Sequence, residues 1–177
     1  MFDEGRSEIA ANVETLADLT PGQTGNLSVR DGESIAITPT GVPYTDVSAS
    51  DIPVIDPRGR RQYGTLDPSS EVPMHLGIYD AMDTSAIAHV HSPWATTLGV
   101  LREPVPPVHY MLAMAGETVP VAPYARYGTE QLADNAVSTM QEADSTACLL
   151  ANHGLVATGN SVSEAIETVR AVESTAQ

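Results

Sequence analysis

The chain has 177 residues, and 23 Asp and Glu against eight basic residues give it a formal net charge of −15, so no basic stripe exists to neutralise the phosphates of a nucleic acid. All eight basic residues are arginines, and without lysine the protein can form no Schiff base and anchor no pyridoxal phosphate. No stretch resembles a secretory leader or is long and apolar enough to span a bilayer, which predicts one soluble, cytoplasmic domain over residues 1–177.

Ile9, Val13, Leu16 and Leu19 recur at helical spacing and predict a first amphipathic helix over residues 5–19, ended by Thr20-Pro21-Gly22-Gln23. Short β-like runs at 27–30 and 34–38 flank an Asp31-Gly32 turn, and a third strand is expected at 54–56. The next helix should start at Asp67 as N-cap with Pro68 in the first helical position, and run to about residue 82, with Pro73 leaving its true start open by several residues. Residues 85–91 and 146–152 read as buried strands, with Cys148 as a core thiol in the second. Residues 129–143 read as a helix capped by Thr129, and 163–174 as a final helix. Strands alternating with helices define an α/β domain.

Acidic residues are scattered among these periodic segments rather than gathered in a tail, which fits a folded domain with an acid-coated surface, as in a protein working in concentrated salt. At ~1 M salt the Debye length falls to about 3 Å and screens such self-repulsion. An anionic substrate would then be held by local dipoles, because the overall field repels it.

His89-Val90-His91 is the sharpest local signal. On a strand, residues i and i+2 share a face, so both imidazoles point the same way and form half of a zinc or iron site. Ordinary buried or surface histidines are the plainer reading of this pair alone. His153 follows a buried strand and precedes Gly154, which would permit a sharp turn, and strand ends are where α/β proteins put ligands. A cupin-type site is disfavoured by Ala95 and Thr96, and a metallo-β-lactamase-type site by Ser92-Pro93-Trp94. Glu71, after Ser69 and Ser70 at an expected helix start, suits an anion-binding cradle of hydroxyls and free amides, though such residues also serve as plain caps. His75, one turn later, either lines the same cleft or packs in the core. Thr24-Gly25-Asn26-Leu27-Ser28 and Thr38-Pro39-Thr40-Gly41 are two further loops of small polar character.

Together these segments resemble the class II aldolase/adducin family, closest to its L-fuculose-1-phosphate aldolase branch. The likeness also takes in Val108-His109-Tyr110-Met111, Ala122-Pro123-Tyr124 and Asn152-His153-Gly154, in matching order and spacing. It implies a three-layer α/β/α domain with a mixed, largely antiparallel sheet, assembled as a homotetramer with active sites at subunit interfaces. It further implies one Zn2+ per subunit (Mn2+ or Fe2+ as substitutes) held by His89, His91 and His153, with Glu71 as acid/base. Gly25, Asn26, Thr40, Gly41, Ser69 and Ser70 would bind the substrate phosphate. Tyr110, which composition alone would place in the core, would reach the neighbouring subunit's site.

The implied reaction is reversible cleavage of a ketose 1-phosphate, such as L-fuculose 1-phosphate, into dihydroxyacetone phosphate and an aldehyde. Two rivals share the scaffold: dehydratases of methylthioribulose phosphate, and 4-epimerases, which carry aspartate at the Glu71 position. A non-catalytic adducin-like interaction module would lack the metal histidines. Departures from the family are a short first loop at Thr20-Pro21-Gly22-Gln23 and a sequence that stops at Gln177, where family members usually continue with a segment covering the site.

Overall fold

A computed structural model describes residues 2–177. Its frame is one eight-stranded sheet in the order β4-β3-β2-β1-β5-β8-β7-β6. The strands are β1 (Asn26–Asp31), β2 (Ser34–Ile37), β3 (Val54–Ile55), β4 (Arg61–Tyr63), β5 (Ala86–Val90), β6 (Val121–Ala122), β7 (Ala147–Leu150) and β8 (Gly154–Gly159). Every pairing is antiparallel except β6 with β7. The helices are α1 (Asp3–Leu19), α2 (Val72–Ala81), α3 (Pro93–Leu101), α4 (Glu130–Glu142) and α5 (Val162–Ala176). Among the described residues no helix is long and apolar enough to cross a membrane.

Strand alternation divides the core in two. On β5, Ala86, Ala88 and Val90 point to one face, where Ile9, Val13 and Leu16 of α1 and Val169 and Val172 of α5 cover them. Ile87 points to the other, against Met74 and Ile78 of α2 and Leu132, Ala136 and Met140 of α4. Two helical layers thus sandwich the mixed, largely antiparallel sheet, the three-layer α/β/α arrangement expected. Cys148 lies in the second core with no exposure, and burial pushes its thiol pKa far up.

Besides the short strands β4 and β6, which the sequence reading did not anticipate, three elements differ from it. Helix α2 starts at Val72 rather than near Asp67, because residues 67–69 are held extended beside the loop after β2. Pro68 bridges Pro39, the Ser69 amide donates to the Thr38 carbonyl, and the Thr40 amide donates to the Asp67 carbonyl. Asp67 caps nothing and instead pairs with Arg61 at 3.0 Å. Helix α3 is an addition, and its N-terminus is capped from 78 residues away. The Glu173 carboxylate accepts from the amides of Trp94 (2.9 Å) and Ala95 (2.8 Å), where a negative charge also meets the helix dipole. Strand β8 is the other addition, joined to β7 by a tight hairpin in which Asn152, not Gly154, takes the left-handed conformation (φ 57°). Gly154 serves close approach instead, since a Cβ there would collide with the Val90 carbonyl and the His91 ring.

Antiparallel pairing also decides where the chemistry gathers. The start of β1, the ends of β2 and β5, and the β7–β8 hairpin all fall at one end of the sheet, with Asn26 opposite His89 and Val90 opposite Leu155.

Candidate metal centre and oxyanion cleft

At that end, His89, His91 and His153 converge from two separate segments. Their ring centroids lie 4.8–4.9 Å apart, and one ligand atom from each falls within 4.8 Å of the others. His89 is buried. Its Nδ1 is 2.9 Å from the Leu155 carbonyl, which can only accept, so Nδ1 carries the proton and Nε2 the lone pair. That Nε2 lies 3.0 Å from Nε2 of His91.

Either a neutral His91 donates its own Nε2–H to that lone pair, or the lone pairs of both rings face a cation. A proton is a poor candidate, because burial holds all three imidazoles below their ordinary pKa, His153 at about 4, and the rings disfavour charge on one another. A divalent cation accepting from all three fits the donor set. Glu71 Oε2 and His153 Nδ1 are both buried without a hydrogen-bond partner among the described residues. Glu71 Oε1 is 4.0 Å from His153 Nε2.

Glu71 sits at the N-cap position of α2, yet its side chain makes no capping bond. The carboxyl turns into the cleft instead, nearly out of contact with solvent. Burial raises its pKa, opposed by the backbone N–H of Gly128. A carboxylate held this way is a stronger base than an exposed one.

The cleft has a volume of about 580 Å³, and its lining includes each loop residue expected to meet phosphate: Gly25, Asn26, Thr40, Gly41, Ser69 and Ser70. The pairing of residues 67–69 with Thr38 and Thr40 locks two of those loops together. That pairing uses the Ser69 amide, and the Glu71 amide donates to Ser69 Oγ (3.2 Å), so this loop offers its hydroxyls more than the free amides expected of a helix start. Gly25 has φ +100°, and a Cβ would strike the His89 carbonyl, so only glycine brings this loop against β5. No arginine is among the lining residues.

Two lining tyrosines escaped the sequence reading. Tyr44 is buried and its hydroxyl donates to the Gly25 carbonyl, and Tyr127 stands at the rim beside Gly128. The only signal was the Tyr-Gly step at 127–128, which reads as a plain turn. Tyr110 is 83% exposed and lies outside this cleft, beside a separate hollow lined by His109 and Leu112, so it is not a core aromatic. His75 does not line the cleft. It is fully buried on α2, with Nε2 2.5 Å from Asn26 Oδ1 and Nδ1 2.6 Å from Ser28 Oγ.

Burial lowers the His75 pKa to about 3. The unfolded chain regains an ordinary pKa near 6.5 and binds the proton that the folded chain refuses, so this contribution is complete above pH 6.5 and is lost as pH falls towards 3. Between pH 6 and 5, wild type should lose about 1 kcal/mol more stability than His75→Gln, measured by denaturant unfolding of the metal-free proteins. Equal losses would show that His75 is not protonated differently in the two states.

A three-histidine cluster, one ring buried and two half-buried, with a carboxylate beside it and uncharged polar loops opposite on a three-layer α/β/α frame, defines a site competent to hold a metal ion. Residues 8–177 match the Class II Aldolase and Adducin N-terminal domain, and the chain belongs to that family. A 5-methylthioribulose-1-phosphate/5-deoxyribulose-1-phosphate aldolase of Rhodospirillum rubrum is 40% identical over 175 residues, 98% of this chain and 77% of the relative. An L-fuculose phosphate aldolase of Escherichia coli is 38% identical over 165 residues, covering 92% and 75% of the two chains. Among solved structures, an L-fuculose 1-phosphate aldolase superimposes with a TM-score of 0.93 at 43% identity, over 98% of this chain and 83% of that one. Class II aldolases use a divalent metal, and the histidine cluster is suited to hold one.

Proposed function

We propose that this chain is a zinc-dependent aldehyde-lyase. It reversibly cleaves a ketose 1-phosphate, such as L-fuculose 1-phosphate, into dihydroxyacetone phosphate and an aldehyde. The observation that carries this reading is the convergence of His89, His91, His153 and Glu71 opposite three neutral oxyanion loops in one cleft.

His89, His91 and His153 would hold the ion, and three imidazoles favour zinc over harder cations. A bound cation supplies Lewis-acid polarisation of the substrate's carbonyl and neighbouring hydroxyl oxygens. Glu71 handles the carbon-bound proton. In the joining direction its carboxylate takes the proton from the hydroxyl-bearing carbon beside the carbonyl, and the electron pair shifts onto the carbonyl oxygen. In cleavage the carboxylate takes up the proton that the hydroxyl on the departing carbon releases as it becomes the aldehyde, the electrons of the broken carbon–carbon bond shift onto the carbonyl oxygen, and the carboxyl then gives that proton to the carbon left behind.

Gly25, Asn26, Thr40, Gly41, Ser69 and Ser70 position the phosphate by dipoles alone, which suits a chain of net charge −15. Tyr110, exposed and remote from its own cleft, serves the site of a neighbouring subunit in a homotetramer.

The test is incubation of the metal-loaded chain at ~1 M salt with L-fuculose 1-phosphate, 5-deoxyribulose 1-phosphate and 5-methylthioribulose 1-phosphate, followed by enzymatic assay of triose phosphate. At least one substrate should release dihydroxyacetone phosphate. Loss of water from methylthioribulose phosphate with no triose phosphate would replace the lyase by a dehydratase on the same site.

A further inference from the structure

One buried polar chain is not needed by the chemistry above, yet it ends on a cleft residue. Tyr79 Oη, Ser28 Oγ, His75 and Asn26 are linked in series, by 2.7 Å from Tyr79 to Ser28, 2.6 Å from Ser28 to His75 Nδ1, and 2.5 Å from His75 Nε2 to Asn26 Oδ1. All four residues are buried, and Tyr79 and His75 stand one turn apart on α2 while Ser28 and Asn26 alternate along β1.

The direction of this chain follows from its far end. If each bond ran the other way, the Tyr79 hydroxyl would have to donate to the Ser85 carbonyl at 3.4 Å, a poor bond. In the direction shown every short contact has one donor and one acceptor. Tyr79 donates to Ser28, Ser28 donates to His75 Nδ1, and His75 Nε2–H donates to the Asn26 carbonyl oxygen. Burial keeps His75 uncharged, so a single tautomer persists across the working pH range.

We propose that His75 is a positioning residue that fixes the Asn26 amide with its oxygen turned into the protein and its Nδ2 facing the cleft as a donor to the substrate's phosphate. The inference rests on the phosphate-loop reading above. Asn26 lines the cleft, and among the described residues nothing accepts a hydrogen bond from its Nδ2, which is not sealed from the cleft either. An unrestrained asparagine would present oxygen or nitrogen to an anion about equally, and the oxygen repels it. In a cleft without arginine, one misoriented amide matters more than it would beside a guanidinium.

The test uses the metal-loaded protein and two readouts, calorimetric titration with inorganic phosphate and steady-state kinetics on whichever ketose phosphate is cleaved. His75→Leu should weaken phosphate binding and raise KM about five- to tenfold, with kcat changed by less than about twofold. His75→Gln, which can still donate to Asn26, should recover most of the affinity. In an Asn26→Ala background, itself weak in phosphate binding, His75→Leu should add nothing, because its action passes through the missing amide. Should His75→Leu fail to fold, Ser28→Ala removes the donor to Nδ1 and is expected to show a smaller loss with the same dependence on Asn26.

Equal losses from His75→Leu with and without Asn26, or full affinity in both His75→Leu and Ser28→Ala, would overturn the positioning role. Phosphate binding with the expected pattern but no cleavage of any ketose phosphate would support the positioning role while rejecting the proposed reaction. A wild-type chain that binds no phosphate would reject the positioning role at its root.

Discussion

Glu71→Gln is expected to keep its metal and lose at least ~10²-fold in kcat, since proton transfer by a placed side chain contributes about that much or more. The two side chains have nearly the same shape, so the cleft should survive the exchange. The carboxyl accepts from the Gly128 N–H, which an amide oxygen can also do, while Oε2 is unpartnered and Oε1 lies 4.0 Å from His153. Burial raises the pKa of the carboxyl, so neutralising it removes a charge that the fold holds at a cost, and the variant should be at least as stable as wild type. Metal analysis, thermal unfolding and turnover together separate the outcomes. Unchanged turnover would remove Glu71 from the reaction. Lost metal would make it a ligand first and a base second.

The metal cluster was legible because its geometry is mostly local. His89 and His91 share a strand face by alternation alone, and β5 formed where its apolar run predicted. His153 needed one further fact, that β7 turns back on itself within three residues. The sequence marked that point with Gly154, but for a different reason than the turn, which falls on Asn152. The start of α2 was misplaced because the 67–69 segment pairs with a loop some 30 residues earlier, a contact that caps and propensities do not encode. Helix α3 was overlooked because its cap is Glu173, at the opposite end of the chain. Strand β8, buried from Gly154 to Thr158 and bounded by glycines, shows no alternation to read. For α2 and α3 pattern reasoning lost a long-range partner, and for β8 it lost the alternation that burial on both faces erases.

His153→Ala should be the sharpest test of the centre as a whole. His153 stands on the β7–β8 hairpin, half-buried, and its Nδ1 bonds nothing in the chain, so its removal leaves the sheet intact. His89 differs, being buried in the sheet with its Nδ1 on Leu155, so truncating it would confound folding with metal loss. In wild type, zinc at about one hundred times its dissociation constant should add about 2.7 kcal/mol of stability, because the ion binds the folded state and not the unfolded one. His153→Ala should show little of that gain and fall well below one ion per chain at the same free zinc. Polarisation of the carbonyl is worth several kcal/mol, and each 1.36 kcal/mol is tenfold in rate, so kcat/KM should fall by ~10³ or more. A variant that kept both its metal and its zinc-dependent rise in melting temperature would mean that the three rings meet without sharing an ion, and the reading of the cleft as a metal-dependent lyase would fall with it.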